Sequence, residues 1–126
     1  MSQVHSSIMD RKEQFRQRTK AYALAVVRFY CLLPKTRTEV QILGKQLLRS
    51  GTSVAANYRE ASRARSKAEF ISKIGDCLKE ADETLYWLDL LSDEQVISPK
   101  RLAPLIKEAN ELVSIFVTIS KRSRGD

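Results

Sequence analysis

Apolar residues recur every three or four positions along nearly the whole chain, and this spacing most limits what the chain can fold into. It is the period of one face of an α-helix, whereas a half-buried strand alternates apolar and polar residues. The pattern is clearest between Val40 and Ala61. Only four Gly and three Pro residues interrupt the chain, and its 126 residues fit one domain. The sequence therefore predicts an all-α protein.

Four helices are predicted, over residues 10–33, 38–64, 66–91 and 98–122. The breaks coincide with helix-boundary signals, which are Pro34, the capping pairs Thr38–Gln41 and Ser66–Glu69, and Ser98 followed by Pro99. Short connections favour antiparallel neighbours and an up-down-up-down bundle. The link at 62–66 is read either as a turn between two helices or as a kink.

The predicted domain organisation is a bundle over residues 10–122, flanked by flexible tails at 1–9 and 123–126. Two surplus apolar stripes lie outside the core pattern: Leu24, Val27 and Cys31 on the first helix, and Trp87 and Leu90 on the third. A monomer rarely leaves such stripes in water. We therefore expect a homo-oligomer, although a wide core with scattered surface apolar groups is the alternative.

Net charge limits the class of partner. The chain carries +7, which makes an acidic partner plausible, nucleic acid first. Residues 66–97 are acidic beside basic neighbours, and this arrangement fits ion pairs either within one bundle or between subunits. No apolar run is long enough to span a bilayer, and residues 1–10 lack a signal-peptide core, so no membrane partner and a cytoplasmic location are expected.

The second helix carries the candidate phosphate contacts. Lys45, Arg59 and Arg63 fall within a narrow arc, and with Arg49 and Arg65 they are the candidates for binding RNA or DNA. Secondary candidates lie on the first helix and in the C-terminal segment: Arg16, Lys20, Lys121, Arg122 and Arg124. The alternative is a solvated helix face without a ligand.

Gly51 stands in the middle of the same helix, where glycine costs about 1 kcal/mol against alanine. Either the small residues around it allow another helix to approach closely, or the nearby hydroxyls and Asn57 bind a ligand. Asn57 and Glu80, each beside an apolar seam, are the candidates for a structural polar network across the bundle.

Catalytic and metal-binding patterns are missing from the sequence. The single histidine, His5, lies in the predicted tail, and Cys31 and Cys77 lack zinc spacing. We therefore expect no metal, no cofactor and no enzymatic activity. The remaining alternative is an enzyme that uses Glu80 and its neighbours.

Three blocks of the chain resemble one bacterial family. They are LLRSGTSVAANYREA at 47–61, SKAEF at 66–70 and LKEADETLYWL at 78–88. This combination resembles the bacterial four-helix bundle proteins, also called 23S ribosomal RNA intervening-sequence proteins, over roughly residues 12–120. The resemblance implies a homo-pentamer of up-down bundles arranged in a ring, and it leaves the biochemical function largely open. The fold is also similar to that of the accessory protein of diversity-generating retroelements, which binds nucleic acid and a reverse transcriptase.

The sequence thus favours a non-enzymatic, oligomeric bundle that serves as a nucleic-acid-binding or scaffold module. The alternative is an oligomeric adaptor for a partner protein, with the basic excess serving solubility. A ring would multiply weak contacts through avidity.

Overall fold

The computed structural model describes the backbone of residues 3–125 and the side chains of residues 11–125. The backbone forms four helices, α1 (Gln3–Leu32), α2 (Thr38–Ala61), α3 (Lys67–Asp93) and α4 (Pro99–Arg124), and that part of the chain contains no strand. The all-α, four-helix prediction is confirmed. No helix of the described chain holds an apolar stretch long enough to cross a membrane.

The helix ends differ from the predicted ones where the sequence lacks a breaker. Helix α1 begins at Gln3 rather than at residue 10, since neither proline nor glycine interrupts residues 3–10. Helix α4 continues to Arg124 and stops at Gly125, whose left-handed φ of 82° suits a glycine C-cap. Helical backbone therefore extends into both segments that were predicted as tails.

Each helix packs against the next one along the chain. Helix α2 lies between α1 and α3, and α4 packs mainly on α3, whereas α1 contacts α4 over a smaller area. Helices α2 and α3 are antiparallel, because Glu60 near the end of α2 pairs with Lys73 near the start of α3. The link at 62–66 is consequently a turn and not a kink.

The core is formed by the residues that recur every three or four positions on each of the four helices. Val26, Leu47, Ile74 and Leu112 are fully buried representatives, one from each helix. Tyr22 adds a polar anchor, because its buried hydroxyl donates to the carbonyl of Leu105 on α4 at 3.1 Å. Burial, with a smaller effect of nearby Glu108, raises the pKa of that hydroxyl. The bundle thus buries a continuous apolar interior with a fixed α1–α4 contact.

Gly51 allows α1 and α2 to approach closely. A Cβ atom at this position would lie 2.8 and 2.9 Å from the two methyl carbons of Val26. The neighbouring hydroxyls of Thr52 and Ser53 donate to carbonyls of their own helix, those of Leu48 and Arg49, at 2.8 and 2.7 Å. The close-packing explanation for this glycine is therefore confirmed, and these hydroxyls serve the helix backbone.

Of the two predicted capping boxes, one forms. The Ser66 side chain accepts a hydrogen bond from the backbone N–H of Glu69 at 3.1 Å, as predicted. The Thr38–Gln41 box is wrong, because α2 is capped by Arg37 without a side-chain bond. The Gln41 amide instead donates to the carbonyl of Pro34 at 2.8 Å and so closes the turn between α1 and α2.

Candidate nucleic-acid interface

Helices α1 and α2 enclose a groove of about 480 Å³ that is lined by four cationic side chains, which we call the basic groove. Arg16 and Lys20 come from α1, Arg59 comes from the last turn of α2, and Arg63 comes from the turn that follows α2. Arg16 and Lys20 have the i, i+4 spacing that places two side chains on one helix face, about 6 Å apart along the axis. The groove thus presents two cations of α1 together with two cations from the end of α2 and the turn after it.

The core beneath the groove determines its shape. The Phe15 and Tyr58 rings pack edge to face at 4.7 Å and join the two helices at this level. The floor is lined by Ala55 and Ala56, whose methyl groups leave the space between the cations open. Small residues in α2 therefore produce both the close helix approach at Gly51 and the depression beside it.

Most of the charge in the basic groove is uncommitted. Arg16 forms an exposed ion pair with Glu13 one turn earlier, the kind of pair that contributes well under about 1 kcal/mol. Lys20, Arg59 and Arg63 are exposed and form no ion pair with any described residue. Three of the four cations are thus available to an anionic ligand.

The five predicted phosphate contacts do not all lie in the basic groove. Arg59 and Arg63 lie in the basic groove, together with the secondary candidates Arg16 and Lys20. Arg49 lies on the α3 side of α2, where Glu80 accepts from it at 3.3 Å and Glu83 forms a second, closer ion pair. Arg49 therefore belongs to an ion-pair cluster and not to the groove, since its charge is already matched.

Lys45 and Arg65 also lie outside the basic groove. Lys45 is exposed on α2, about 21 Å from Arg59 along the helix axis. Arg65 is exposed in the α2–α3 turn, where its backbone N–H donates to the Glu69 carboxylate at 3.2 Å. The depression beside it has mixed charge, because it is lined by Glu60, Arg63, Arg65, Glu69 and Lys73.

The predicted polar network between Asn57 and Glu80 is wrong. No hydrogen bond joins these two side chains in the described structure, and Glu80 accepts from Arg49 instead. The buried polar link between α2 and α3 is formed by Ser50 and Thr84, whose hydroxyl oxygens lie 2.9 Å apart. The sequence did contain a signal for this link. Thr84 is a polar residue three positions after Ala81, at a place where the core pattern of α3 calls for an apolar residue.

The two predicted interface stripes have different exposure. Leu24 and Val27 are 44% and 37% exposed, and Cys31 is exposed beside them on the outer face of α1. Trp87 packs partly against the core, where its indole N–H donates to Glu83 at 3.3 Å, and Leu90 is half-buried. The stripe on α1 is consequently an open apolar surface, whereas on α3 Trp87 packs partly against its own bundle.

Metal-binding clusters are not found among the described residues, where no group of three or more His, Cys, Asp or Glu side chains could hold an ion. His5 lies outside the described side chains. Cys77 is buried, and this burial raises the pKa of its thiol to about 12, so the group stays protonated at neutral pH.

Comparison with known proteins agrees with this architecture. The family of 23S rRNA-intervening sequence proteins matches residues 11–118. The chain is also similar to a crystal structure from Bacteroides thetaiotaomicron, that of a protein of unknown function from the S23 ribosomal protein family. The two are 36% identical with a TM-score of 0.78, and the match covers 84% of this chain and 97% of that chain. No curated protein matches. The chain belongs to the 23S rRNA-intervening sequence protein family.

Proposed function

We propose that this protein is a non-enzymatic module that binds the phosphate backbone of a nucleic acid through the basic groove. The observation that carries the proposal is the convergence of four cations from α1, α2 and the turn after α2 on one depression, with Lys20, Arg59 and Arg63 free of ion pairs among the described residues. Phosphates displace counterions when they meet such a surface, so the binding should be strongly salt-dependent.

The test measures binding of a short fluorescent duplex and a structured RNA by anisotropy at low salt. The variant Arg59→Ala/Arg63→Ala removes two exposed groove cations, one in the last turn of α2 and one in the turn that follows. The matched control, Lys100→Ala/Arg101→Ala, removes the same charge from exposed positions at the start of α4. We expect the groove variant to bind at least tenfold more weakly and the control to stay near wild type, because the groove cations contact phosphate and the start of α4 lies away from the groove.

Two results contradict the proposal. If wild-type protein binds neither probe at low salt, the basic groove has no nucleic-acid role. If both variants lose the same affinity, the effect comes from net charge and not from the groove. Circular dichroism of each variant confirms that the helices are retained.

Self-association is the second part of the proposal. Leu24, Val27 and Cys31 continue the helix face that begins with Lys20, since these four residues follow a spacing of four, three and four. The apolar stripe therefore adjoins the basic groove on α1. We infer that copies cover this stripe for one another and assemble into a ring, with a pentamer expected from the family resemblance.

Leu24→Asp tests this interface by sizing with light scattering. We expect a smaller species, because a carboxylate at a 44% exposed apolar position must be desolvated when the subunits pack together. Leu32→Asp is the matched control, because it is 52% exposed at the end of the same helix and lies off the stripe. An unchanged mass for Leu24→Asp would exclude this face.

An oligomeric adaptor for another protein is the alternative function. One observation favours it, the depression between α3 and α4 that combines apolar Leu85 and Ile106 with exposed Tyr86 and the carboxylates of Asp82 and Asp89. A protein segment with apolar and cationic side chains would suit this surface. Failure of all nucleic-acid binding at low salt would leave the adaptor as the better explanation.

A further inference from the structure

The topology of the bundle brings three basic segments to the same end. The start of α1, the α2–α3 turn and the end of α4 meet there, as the packing of Phe15, Tyr58 and Phe116 shows. The ring of Phe15 lies 4.7 Å from that of Tyr58 and 5.5 Å from that of Phe116. We call the surface formed by residues 11–20, 59–69 and 121–125 the basic end.

The basic end concentrates the charge of the protein. It contains twelve Lys and Arg residues against three Glu residues, a net side-chain charge of +9, which exceeds the +7 of the whole chain. The described residues outside the basic end, 21–58 and 70–120, carry ten basic and ten acidic side chains and are therefore neutral overall. This polarity is not visible along the sequence, because residues 21–58 separate the first segment from the second and residues 70–120 separate the second from the third. The basic groove forms one side of this larger surface.

The basic end offers no aromatic platform to unpaired bases. Proteins that bind single strands combine a basic surface with exposed rings on which bases stack. Here Tyr58 and Phe116 are buried, and the rings of Phe15 and Phe70 are partly buried against the same core. Among the large apolar side chains of the described chain, Tyr86 is the exposed ring. It lies about 28 Å along α3 from the start of that helix and therefore far from the basic end.

We propose that the basic end, including the basic groove, binds the sugar–phosphate backbone of double-stranded nucleic acid without stacking on bases. This inference rests on the proposed function and specifies its ligand. Arg16 pairs with Glu13, and Arg18 pairs with Glu108 and Glu111. The other ten cations form no ion pair with any described residue and can contact phosphates along a rigid duplex, whereas a flexible single strand would lose entropy on ordering and gain no stacking in return. Recognition is accordingly independent of sequence.

The experiment compares one DNA duplex, the matching RNA duplex and their separate, unstructured strands by anisotropy at the same salt concentration. We expect at least one duplex to bind roughly tenfold more tightly than its strands. The DNA and RNA arms identify which backbone is preferred. Equal or tighter binding of the single strands would overturn the duplex inference and leave the proposed function intact, whereas failure of every probe would overturn both.

A pair of variants tests the extent of the surface. Arg122→Ala/Arg124→Ala removes two exposed cations of the basic end, and Lys100→Ala/Arg101→Ala removes two exposed cations from the opposite end of the same helix. The slope of log affinity against log salt should fall by about 1.8 for the first variant and remain unchanged for the second. Equal slopes for the two variants would exclude α4 from the surface. Binding to anionic lipid vesicles without binding to either duplex would contradict the inference.

Discussion

The substitution Gly51→Ala tests the closest helix contact in the bundle. An added Cβ atom would meet Val26 at 2.8, 2.9 and 3.2 Å from its Cγ2, Cγ1 and Cβ atoms. Val26 is fully buried and β-branched, so it cannot turn away without strain. Overpacking of this kind costs about 1–3 kcal/mol, while the better helix propensity of alanine returns about 1 kcal/mol. The net effect is expected between neutral and a loss of about 2 kcal/mol.

Gly75→Ala is the matched control for this prediction. Gly75 lies within α3, and a Cβ atom there would meet nothing within 4 Å. The propensity gain is common to both substitutions and cancels, so Gly51→Ala should be less stable than Gly75→Ala by about 1–3 kcal/mol. The measurement is urea unfolding followed by circular dichroism at one fixed protein concentration, because association also contributes to stability.

A double-mutant cycle identifies the origin of the effect. Val26→Ala removes both methyl groups that the new Cβ atom would meet, so Gly51→Ala should cost less in that background. The reasoning is refuted if Gly51→Ala stabilises the protein as much as Gly75→Ala does. It is equally refuted if the cost of Gly51→Ala is the same with and without the Val26 methyl groups.

Three further predictions concern the interior and the thiols. In native protein at pH 8, a thiol reagent should leave Cys77 unreacted until the chain unfolds, and prompt reaction of Cys77 would contradict its burial. The free energy of unfolding should fall as pH rises from about 9 towards 12, because the Cys77 thiol ionises in the unfolded chain, whereas burial raises its pKa in the folded chain to about 12. A free energy of unfolding that does not change over this pH range would contradict the prediction. Tyr22→Phe should cost about 1 kcal/mol in urea unfolding, since it removes the hydrogen bond to the Leu105 carbonyl.

The fold was predictable because the apolar period alone determines it. The seam residues of all four helices recur at spacings of three and four, and the same residues form the observed core. Gly51 was informative for the same reason, since an unfavourable residue in a long helix requires a compensating contact. The capping signal at Ser66 succeeded, whereas Thr38 failed because Gln41 hydrogen-bonds across the preceding turn to Pro34.

The site was only partly predictable, because charge along one helix does not show which neighbour faces it. Arg49 and Arg59 belong to the same cationic helix, but Arg49 turns towards the carboxylates of α3 and Arg59 towards α1. The four-residue spacing of Arg16 and Lys20 was visible, although only the packing of α1 on α2 places them opposite Arg59 and Arg63. Ser50 and Thr84 were missed because a buried hydroxyl pair occupies positions that the pattern assigns to apolar residues.

The most direct test of the charged surface is lysine acetylation with and without bound duplex, read by mass spectrometry. The chain supplies its own controls, because exposed lysines occur at both ends of the bundle. The lysines of the basic end are Lys12, Lys20, Lys67 and Lys121, and those elsewhere are Lys35, Lys45, Lys79, Lys100 and Lys107. We predict that the duplex protects the first group and leaves the second group as reactive as in the free protein. Uniform protection of both groups, or protection centred on Lys79 and Lys107, would contradict binding at the basic end.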